Sequence, residues 1–283
     1  MPELPEVETV RQGLITSLVG QKIAGVEVLR PQSIGFPLPA DFAQNLRGHS
    51  ILDVSRRGKY LLIHLDQEAY LGVHLRMSGR LLVTWPDQPL GSHVRVRIFL
   101  EQGQELRFED MRVFGRLWYV PQGKAVETVI TGLQHLGPEP LDNFSGKDLS
   151  DRLKRRTQPI KTALLDQSVV AGIGNIYADE SLFGAKINPL RPAQSLTLAE
   201  LDTLTTVIQS TLSRAIVLGG STLRNYTDSR GVNGNYQEEA WVYARKGAPC
   251  RVCGNTVERI RLAGRSTHFC PYCQPLKGVE YSQ

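Results

Sequence analysis

The chain opens with Met-Pro-Glu-Leu-Pro-Glu, a run in which the N-terminus and two carboxylates could carry out covalent chemistry. Methionine before a small residue is normally removed, which would leave Pro2 as the mature N-terminus. A terminal proline is a secondary amine, and it condenses with an aldehyde-level carbon to an iminium ion directly. A free α-amine has a reference pKa of about 7.7–8.0, against about 10.4 for lysine, so more of it is unprotonated at neutral pH. A nucleophile beside carboxylates, here Glu3 and Glu6, is the arrangement that covalent catalysis requires.

The residues that follow predict a helix that would hold this amine in place. Pro5 suits the first helical turn, because its missing N–H would have no partner there. Apolar residues then recur at helical spacing at Val7, Val10, Leu14 and Leu18. The positive end of the helix dipole would lower the pKa of the amine further. The alternative interpretation is an acidic, proline-marked helix start without chemistry.

The four cysteines form a second chemical group, spaced as Cys250-x2-Cys253-x16-Cys270-x2-Cys273. Two such pairs are typical of a zinc site. Four thiolates around a tetrahedral Zn²⁺ leave no coordination position open, so we expect one structural zinc ion that folds the segment and does not catalyse. Disulfides are the alternative, and they are disfavoured because the chain carries no secretory signal pattern.

The stretch between the cysteine pairs predicts a β-hairpin with a basic tip. Val257, Arg259 and Arg261 alternate, and Gly264-Arg265 resembles a turn. As an isolated feature, Arg265 could be one more exposed charge.

Basic residues are concentrated in the C-terminal half. Six Lys or Arg residues lie between Lys147 and Lys161, and seven lie between Arg245 and Lys277 against the single acid Glu258. With a net charge of +5, these clusters favour a polyanionic partner such as nucleic acid. Solvated charged faces are the alternative interpretation.

The elements that must position these residues are of two kinds. Short alternating stretches over the first 137 residues predict an antiparallel β-sandwich against which the opening helix packs. The strands expected are Lys22–Leu29, Tyr60–Leu65, Val94–Leu100, Glu105–Glu109 and Arg116–Val120. Beyond a linker at 138–145, helices are expected at Asp148–Thr157, Leu164–Ser168, Ile176–Phe183 and Thr197–Val217. The predicted class is therefore α+β.

The composition is that of an ordinary soluble globular protein, with 41% hydrophobic and 22% charged residues. The length of 283 residues accommodates two domains. Apolar runs stay well short of the roughly 18 residues that a membrane span requires. We therefore expect a cytoplasmic protein without membrane contact.

Two motifs resemble a known family. Pro-Glu-Leu-Pro-Glu-Val-Glu-Thr at residues 2–9 is similar to the start of the bacterial formamidopyrimidine-DNA glycosylases, the Fpg/MutM family, and Gly-Ile-Gly-Asn-Ile-Tyr-Ala-Asp-Glu at 172–180 is similar to their helix-two-turn-helix signature. The resemblance runs from residue 2 to about residue 277. It implies a helix-two-turn-helix domain over 146–237, with a lesion-capping loop at 219–237, and a zinc finger over 238–283 that contains the cysteine β-hairpin.

The resemblance also implies roles for single residues. Pro2 would attack C1′ of the damaged nucleotide, with Glu3 giving acid/base assistance and Glu6 helping to position water. Lys59 and Arg265 would assist the proton and phosphate steps. Contacts with DNA would come from His74, Met77, His93, Arg112, Phe114, Arg156, Lys161 and Asn175. Among these, Met77, Arg112 and Phe114 would fill the stack that an extruded base vacates.

The expected protein is a base-excision repair glycosylase with AP-lyase activity. It would remove 8-oxoguanine and formamidopyrimidines from double-stranded damaged DNA as a monomer associated with the bacterial nucleoid, without an obligate protein partner. One alternative is an endonuclease VIII-type enzyme, which has the same architecture and removes oxidised pyrimidines. Another is a non-catalytic zinc-hairpin DNA-binding protein, which would leave the Pro-Glu terminus unexplained.

Overall fold

The computed structural model describes residues 1–221 and 234–276, which fall into two units. The first unit comprises 1–134 with 218–221 and 234–235, and the second comprises 135–217 with 236–276. The predicted α+β class is confirmed. The predicted domain boundaries, including the separation of a zinc finger at residue 238, stay predictions. Residues 222–233 of the predicted lesion-capping loop lie outside the described residues.

The first unit is built from two β-sheets and three helices. Its helices are α1 (Leu4–Leu18), α2 (Pro39–Leu46) and α3 (Val126–Val129). Its strands are β1 (Ile23–Val28), β2 (Ile34–Phe36), β3 (Ile51–Arg57), β4 (Tyr60–Leu65), β5 (Tyr70–His74), β6 (Gly79–Thr84), β7 (Val94–Leu100), β8 (Glu105–Asp110) and β9 (Arg116–Val120). Short 3₁₀ turns occur at Pro31–Ser33 and Thr131–Leu133.

The two sheets and the first helix share one hydrophobic core. The sheets have the strand orders β1-β7-β8-β6 and β2-β9-β5-β4-β3, and their pairs are antiparallel except for the short parallel contact of β2 with β9. The apolar stripe of α1 is buried in this core with side chains of both sheets, such as Leu61 and Phe108. Burying that stripe fixes the rotation of α1, and hence the direction in which its N-terminus points.

The second unit is helical and ends in a small hairpin. Its elements are α4 (Gly146–Leu153), α5 (Ile160–Leu165), α6 (Asn175–Gly184), a 3₁₀ turn (Ala193–Ser195), α7 (Leu198–Val217), α8 (Tyr236–Glu239), β10 (Glu258–Leu262) and β11 (Arg265–Phe269). A minor core joins Phe183 of α6 to Val257, Cys250 and Cys270 beside the hairpin. Across the described ranges, no helix is long and apolar enough to cross a membrane.

One predicted helix is displaced. The sequence pattern favoured Leu164–Ser168, whereas α5 begins at Ile160, directly after Pro159, and ends at Leu165. The reason lies in Asp166, whose carboxylate accepts the Ser168 N–H at 2.9 Å and the Ser168 hydroxyl at 2.7 Å. This local turn competes with a further helical turn, as Asp and Ser side chains commonly do.

His74 is a buried histidine at the end of β5, with 6% of its surface exposed. Its ring lies edge-on to Tyr60, with 4.4 Å between centroids, and its Nδ1 accepts the Arg76 N–H at 2.9 Å. Burial, followed by the nearby cations Arg76 and Lys59, lowers the pKa of His74 to about 3. The ring is therefore neutral at physiological pH, and because Nδ1 accepts, the proton resides on Nε2.

This depressed pKa predicts a loss of stability in mild acid. The unfolded chain takes up a proton at His74 near pH 6.5, whereas the folded chain does so only near pH 3, so stability present above pH 6.5 is lost as the pH falls. Between pH 7.5 and pH 5 the His74 contribution should be about 2 kcal/mol. When the free energy of unfolding is measured by urea titration at each pH, His74→Gln should remove this part of its pH dependence. The matched change His93→Gln, at an exposed position, should not. An equal pH dependence of the unfolding free energy in wild type and His74→Gln would contradict the low pKa of His74.

Candidate active site and nucleic-acid interface

The first turn of α1 brings Pro2, Glu3 and Glu6 together. Glu3 is the N-cap of the helix, and Pro5 lies in its first turn. Pro2 is buried and the two glutamates are at most 3% exposed, whereas half of the Met1 surface is exposed. Removal of Met1 would therefore uncover the proline nitrogen and leave both carboxylates inside the protein.

Backbone groups from two distant segments hold the Glu6 carboxylate. Its Oε2 accepts the Glu3 N–H at 2.7 Å, and its Oε1 accepts the Ser221 N–H at 2.8 Å. Gly220 precedes Ser221 with a φ of 79°, and a Cβ at this glycine would lie 2.8 Å from Glu6 Cγ. Only glycine permits this approach. Glu6 therefore joins the start of α1 to residue 221, a link with no local signal in the sequence.

Lys59 lies in the two-residue turn between β3 and β4. Gly58, the first residue of this turn, has a φ of 56°, as two-residue hairpins of this kind require. The turn is tied to α1 through Glu8, whose carboxylate accepts Nη2 of Arg11 at 2.7 Å and Nε of Arg56 at 3.1 Å. Arg56 also donates to the Gly58 carbonyl at 3.0 Å. The helix behind the N-terminus and the turn that carries Lys59 are thus held by one carboxylate.

Met77, Arg112 and Phe114 lie on two turns that adjoin through β6 and β8. Met77 is 43% exposed and Phe114 is 47% exposed, so both of these large apolar side chains lie at the protein surface. The Arg112 guanidinium lies over the Phe114 ring, 4.7 Å from its centroid. Apolar side chains beside a planar donor are suited to insertion between bases. We refer to these three residues as the wedge.

The two predicted histidine contacts differ in exposure. His74 is buried, and its neutral ring carries the proton on Nε2. His93 is exposed just before β7, and its carbonyl accepts the Asp110 N–H at 2.9 Å. A neutral imidazole donor can bind a phosphate oxygen without adding charge.

Lys161 has a different role from the phosphate contact that the sequence suggested. It is 1% exposed, and its Nζ lies 2.7 Å from Asp179 Oδ1, 2.6 Å from the Ser266 carbonyl and 2.9 Å from Thr267 Oγ1. An ammonium surrounded by three internal acceptors and closed off from solvent does not reach a DNA backbone. Its position instead holds β11 against α6.

Asn175 and Arg156 are half-buried. Asn175 is the first residue of α6, and its Nδ2 lies 3.3 Å from Ser266 Oγ. Arg156 donates from Nη1 to Asp166 at 2.6 Å and from Nη2 to Ser168 at 3.2 Å, so its guanidinium is held in one orientation. Their phosphate contacts stay predictions; Asn175 lies at the N-terminus of a helix, where anions are favoured.

Two buried acids in α6 were missed by the sequence analysis. Asp179 pairs with Lys161 and accepts the His268 N–H at 2.9 Å. Glu180 accepts the N–H groups of residues 241, 242 and 243 at 2.8 to 3.0 Å, and burial raises its pKa in spite of those bonds. Adjacent acids in an otherwise apolar helical run were the available signal.

The cysteine sulfurs fit a tetrahedral zinc ion. All four Sγ atoms lie within 4.8 Å of one another, with Cys250–Cys273 at 3.8 Å and Cys253–Cys270 at 3.5 Å. Zn–S bonds of about 2.3 Å place tetrahedral sulfurs about 3.8 Å apart. Burial, followed by the neighbouring thiols, raises the pKa of Cys273, and a bound metal ion favours the thiolate form. The donor set therefore supports one structural zinc ion, which would link the segments on both sides of the hairpin.

The hairpin turn presents Arg265 to solvent. The turn residues are Ala263 and Gly264, with φ values of 45° and 77°, and Arg265 is the first residue of β11, paired with Leu262. The turn lies one residue earlier than the sequence suggested. Arg265 is exposed, and the next two residues of β11 are the ones that Lys161 contacts.

Three family models match this chain in order. The formamidopyrimidine-DNA glycosylase N-terminal domain matches residues 1–117, the formamidopyrimidine-DNA glycosylase H2TH domain matches 136–227, and the zinc finger found in Fpg and isoleucyl-tRNA synthetase matches 247–276. The formamidopyrimidine-DNA glycosylase of Gloeobacter violaceus is 56% identical over 277 residues, covering 97% of this chain and 98% of that protein.

Solved structures of formamidopyrimidine-DNA glycosylases are also similar to this chain. A mutant Fpg of Lactococcus lactis in complex with Fapy-dG-containing DNA matches with a TM-score of 0.90 and 37% identity, over 97% of this chain and 100% of that one. The Lactococcus lactis Fpg with abasic-site DNA matches with a TM-score of 0.89 at the same identity and coverage. Both the sequence and the fold thus lead to one assignment: this chain belongs to the formamidopyrimidine-DNA glycosylase family of DNA-repair glycosylases.

Proposed function

We propose that the protein excises oxidised purines, namely 8-oxoguanine and formamidopyrimidines, from duplex DNA and then cleaves the strand at the abasic site. The observation that carries this proposal is the buried cluster of Pro2, Glu3 and Glu6 at a helix start that would present a secondary amine once Met1 is removed. The Lactococcus lactis relative, bound to Fapy-dG-containing and abasic-site DNA, supports both halves of the reaction.

The chemistry follows from the amine. The Pro2 nitrogen attacks C1′ of the damaged nucleotide, the bond from C1′ to the base breaks, and the base leaves with a proton. Glu3 is the acid/base group, because it is the carboxylate directly beside the nucleophile. The sugar ring opens to an iminium ion, which acidifies the C2′ protons. Loss of a C2′ proton expels the 3′ phosphate, a second elimination expels the 5′ phosphate, and Lys59 and Arg265 assist these proton and phosphate steps.

Glu6 and the wedge prepare the substrate. Glu6, with both oxygens held by N–H groups, fixes the turn and orients a water molecule beside it. The wedge enters the stack vacated by the extruded base. His74, His93, Arg156 and Asn175 bind the DNA backbone, and the enzyme works as a monomer.

Borohydride trapping tests the proposed nucleophile. Borohydride reduces an iminium ion to a stable amine, so incubation with duplex DNA containing 8-oxoguanine should give a covalent adduct. Peptide mapping should locate it on Pro2, with Met1 absent, and Pro2→Gly should retain some adduct because glycine offers a primary amine. An adduct on Lys59 would defeat the assignment, and no adduct on any oxidised or abasic duplex would favour a non-catalytic DNA-binding protein. Faster trapping on oxidised pyrimidines would favour the endonuclease VIII-type specificity.

The salt dependence of binding tests Arg265 as a phosphate contact. Affinity for a duplex with an uncleavable abasic analogue should fall with a log–log slope of about −0.9 per phosphate neutralised. Arg265→Ala should make the slope shallower by about one unit. Arg214→Ala removes the same charge from an exposed ion pair with Glu239 and serves as the control. Equal changes in the two variants would mean that only net charge matters.

Zinc content tests the role of the hairpin. The protein should contain one zinc ion per chain, and Cys253→Ser should lose zinc, amide protection in β10 and β11, and DNA affinity together, because metal binding is linked to folding. Val252→Ser alters the exposed neighbour of the same ligand and should change none of these. A zinc-free native protein, measured by elemental analysis, would contradict the prediction.

A further inference from the structure

Asp110, at the end of β8, is a fully buried aspartate that the reaction does not use. Its Oδ1 accepts the Ser78 hydroxyl at 2.5 Å and the Arg112 N–H at 3.1 Å, and its Oδ2 accepts the Gly115 N–H at 2.7 Å. The two oxygens of one carboxylate therefore accept hydrogen bonds from two turns. Residues 75–79 carry Met77, and residues 110–115 carry Arg112 and Phe114.

The backbone of Asp110 reaches a third segment. Its N–H donates to the His93 carbonyl at 2.9 Å, and its carbonyl accepts Nε of Arg95 at 2.7 Å. Asp110 also pairs with Gly79 across β6 and β8. One residue therefore sets the relative positions of the wedge and of His93.

The two turns need such support because they are strained. Arg76 and Val113 have φ values of 53° and 56°, in the left-handed region that a β-branched residue such as Val113 rarely adopts. Space is also restricted, since a Cβ on Gly115 would lie 2.5 Å from Phe108 and one on Gly79 would lie 2.4 Å from the Leu75 carbonyl oxygen. Strained turns persist only where the surrounding structure fixes them.

The exposed side chains of the wedge gain little from packing, so the turns beneath them must set their position. We propose that Asp110 is a positioning residue that holds Met77 at a fixed distance from the Arg112–Phe114 pair, so that the three enter the DNA stack as one body. This inference rests on the proposed role of the wedge. The Ser78 hydroxyl is the side-chain link between the turns, beside the backbone pairing of β6 with β8, and the bonds to the Arg112 and Gly115 N–H groups hold the second turn in shape.

Two substitutions separate these bonds. Asp110→Asn keeps one acceptor oxygen and places an NH₂ group opposite a donor, which breaks one side of the network. Ser78→Ala removes only the bonds of the Ser78 hydroxyl, to Asp110 and to the Arg112 N–H, and is the milder change. Asp87→Asn, at an exposed position of the same unit, makes the same change of charge and serves as the control.

The experiment compares two duplexes of one sequence under single-turnover conditions, one with 8-oxoguanine and one with a preformed abasic site. Asp110→Asn should lower base excision at least about ten-fold, equivalent to about 1.4 kcal/mol in the barrier, and Ser78→Ala about three-fold. Strand cleavage at the abasic site should fall much less, because no base has to be extruded. A 2-aminopurine placed beside the lesion reports base unstacking. Its rapid signal should be lost in Asp110→Asn and Ser78→Ala, whereas Asp87→Asn should behave as wild type.

The ratio of the two rates distinguishes positioning from a loss of folded protein, which would lower both rates equally. Phe114→Ala is included as the reference for the wedge itself. The role of Asp110 would be overturned if Ser78→Ala and Asp110→Asn kept the wild-type ratio of base excision to abasic-site cleavage while Phe114→Ala changed it. The proposed role of the wedge would then still hold. A normal ratio in Phe114→Ala would overturn the wedge instead. Where Asp110→Asn fails to fold, the ratio in Ser78→Ala decides.

Discussion

The Pro2 nitrogen is a backbone atom, so its position depends on the first turn of the helix behind it. In this chain that turn is held by the Glu6 carboxylate, which accepts the Glu3 N–H on one oxygen and the Ser221 N–H on the other. The buried stripe of α1 fixes the helix, and Glu8 ties it to the turn that carries Lys59. The proposed chemistry depends on this arrangement, because holding the nucleophile beside its acid/base group lowers the barrier to base release.

Buried carboxylates also hold backbone segments in place elsewhere in the fold. Asp110 holds the two turns of the wedge, and Glu180 holds the backbone of residues 241–243. Asp179 neutralises Lys161 behind the zinc hairpin. In each case the carboxyl group is buried and accepts hydrogen bonds from N–H groups or faces a buried cation, which offsets the cost of its burial. In the proposed complex, the exposed aromatic and cationic side chains contact the DNA.

Local patterns predicted much of this fold, and the failures have physical reasons. Strict alternation located β7, and the CxxC spacing predicted the metal ligands. β3 was missed because its burial does not alternate cleanly, and β5 because most of it is buried. Lys161 lies in a basic cluster, and nothing nearby shows that Asp179, eighteen positions further on, accepts its charge. The roles of Glu6 and Asp110 depend on backbone groups brought together only by the tertiary fold.

The proposed reaction depends on the secondary amine of Pro2. Inserting one glutamate between Met1 and Pro2 prevents removal of the methionine and converts the amine into an amide, which cannot form an iminium ion. The structure predicts that this extended chain keeps the wild-type melting temperature, because α1 begins only at Leu4. The measurement is single-turnover release of 8-oxoguanine, with the extension verified by intact mass. If the Pro2 amine is the nucleophile, the extended chain should release no 8-oxoguanine, and release at the wild-type rate would contradict this assignment.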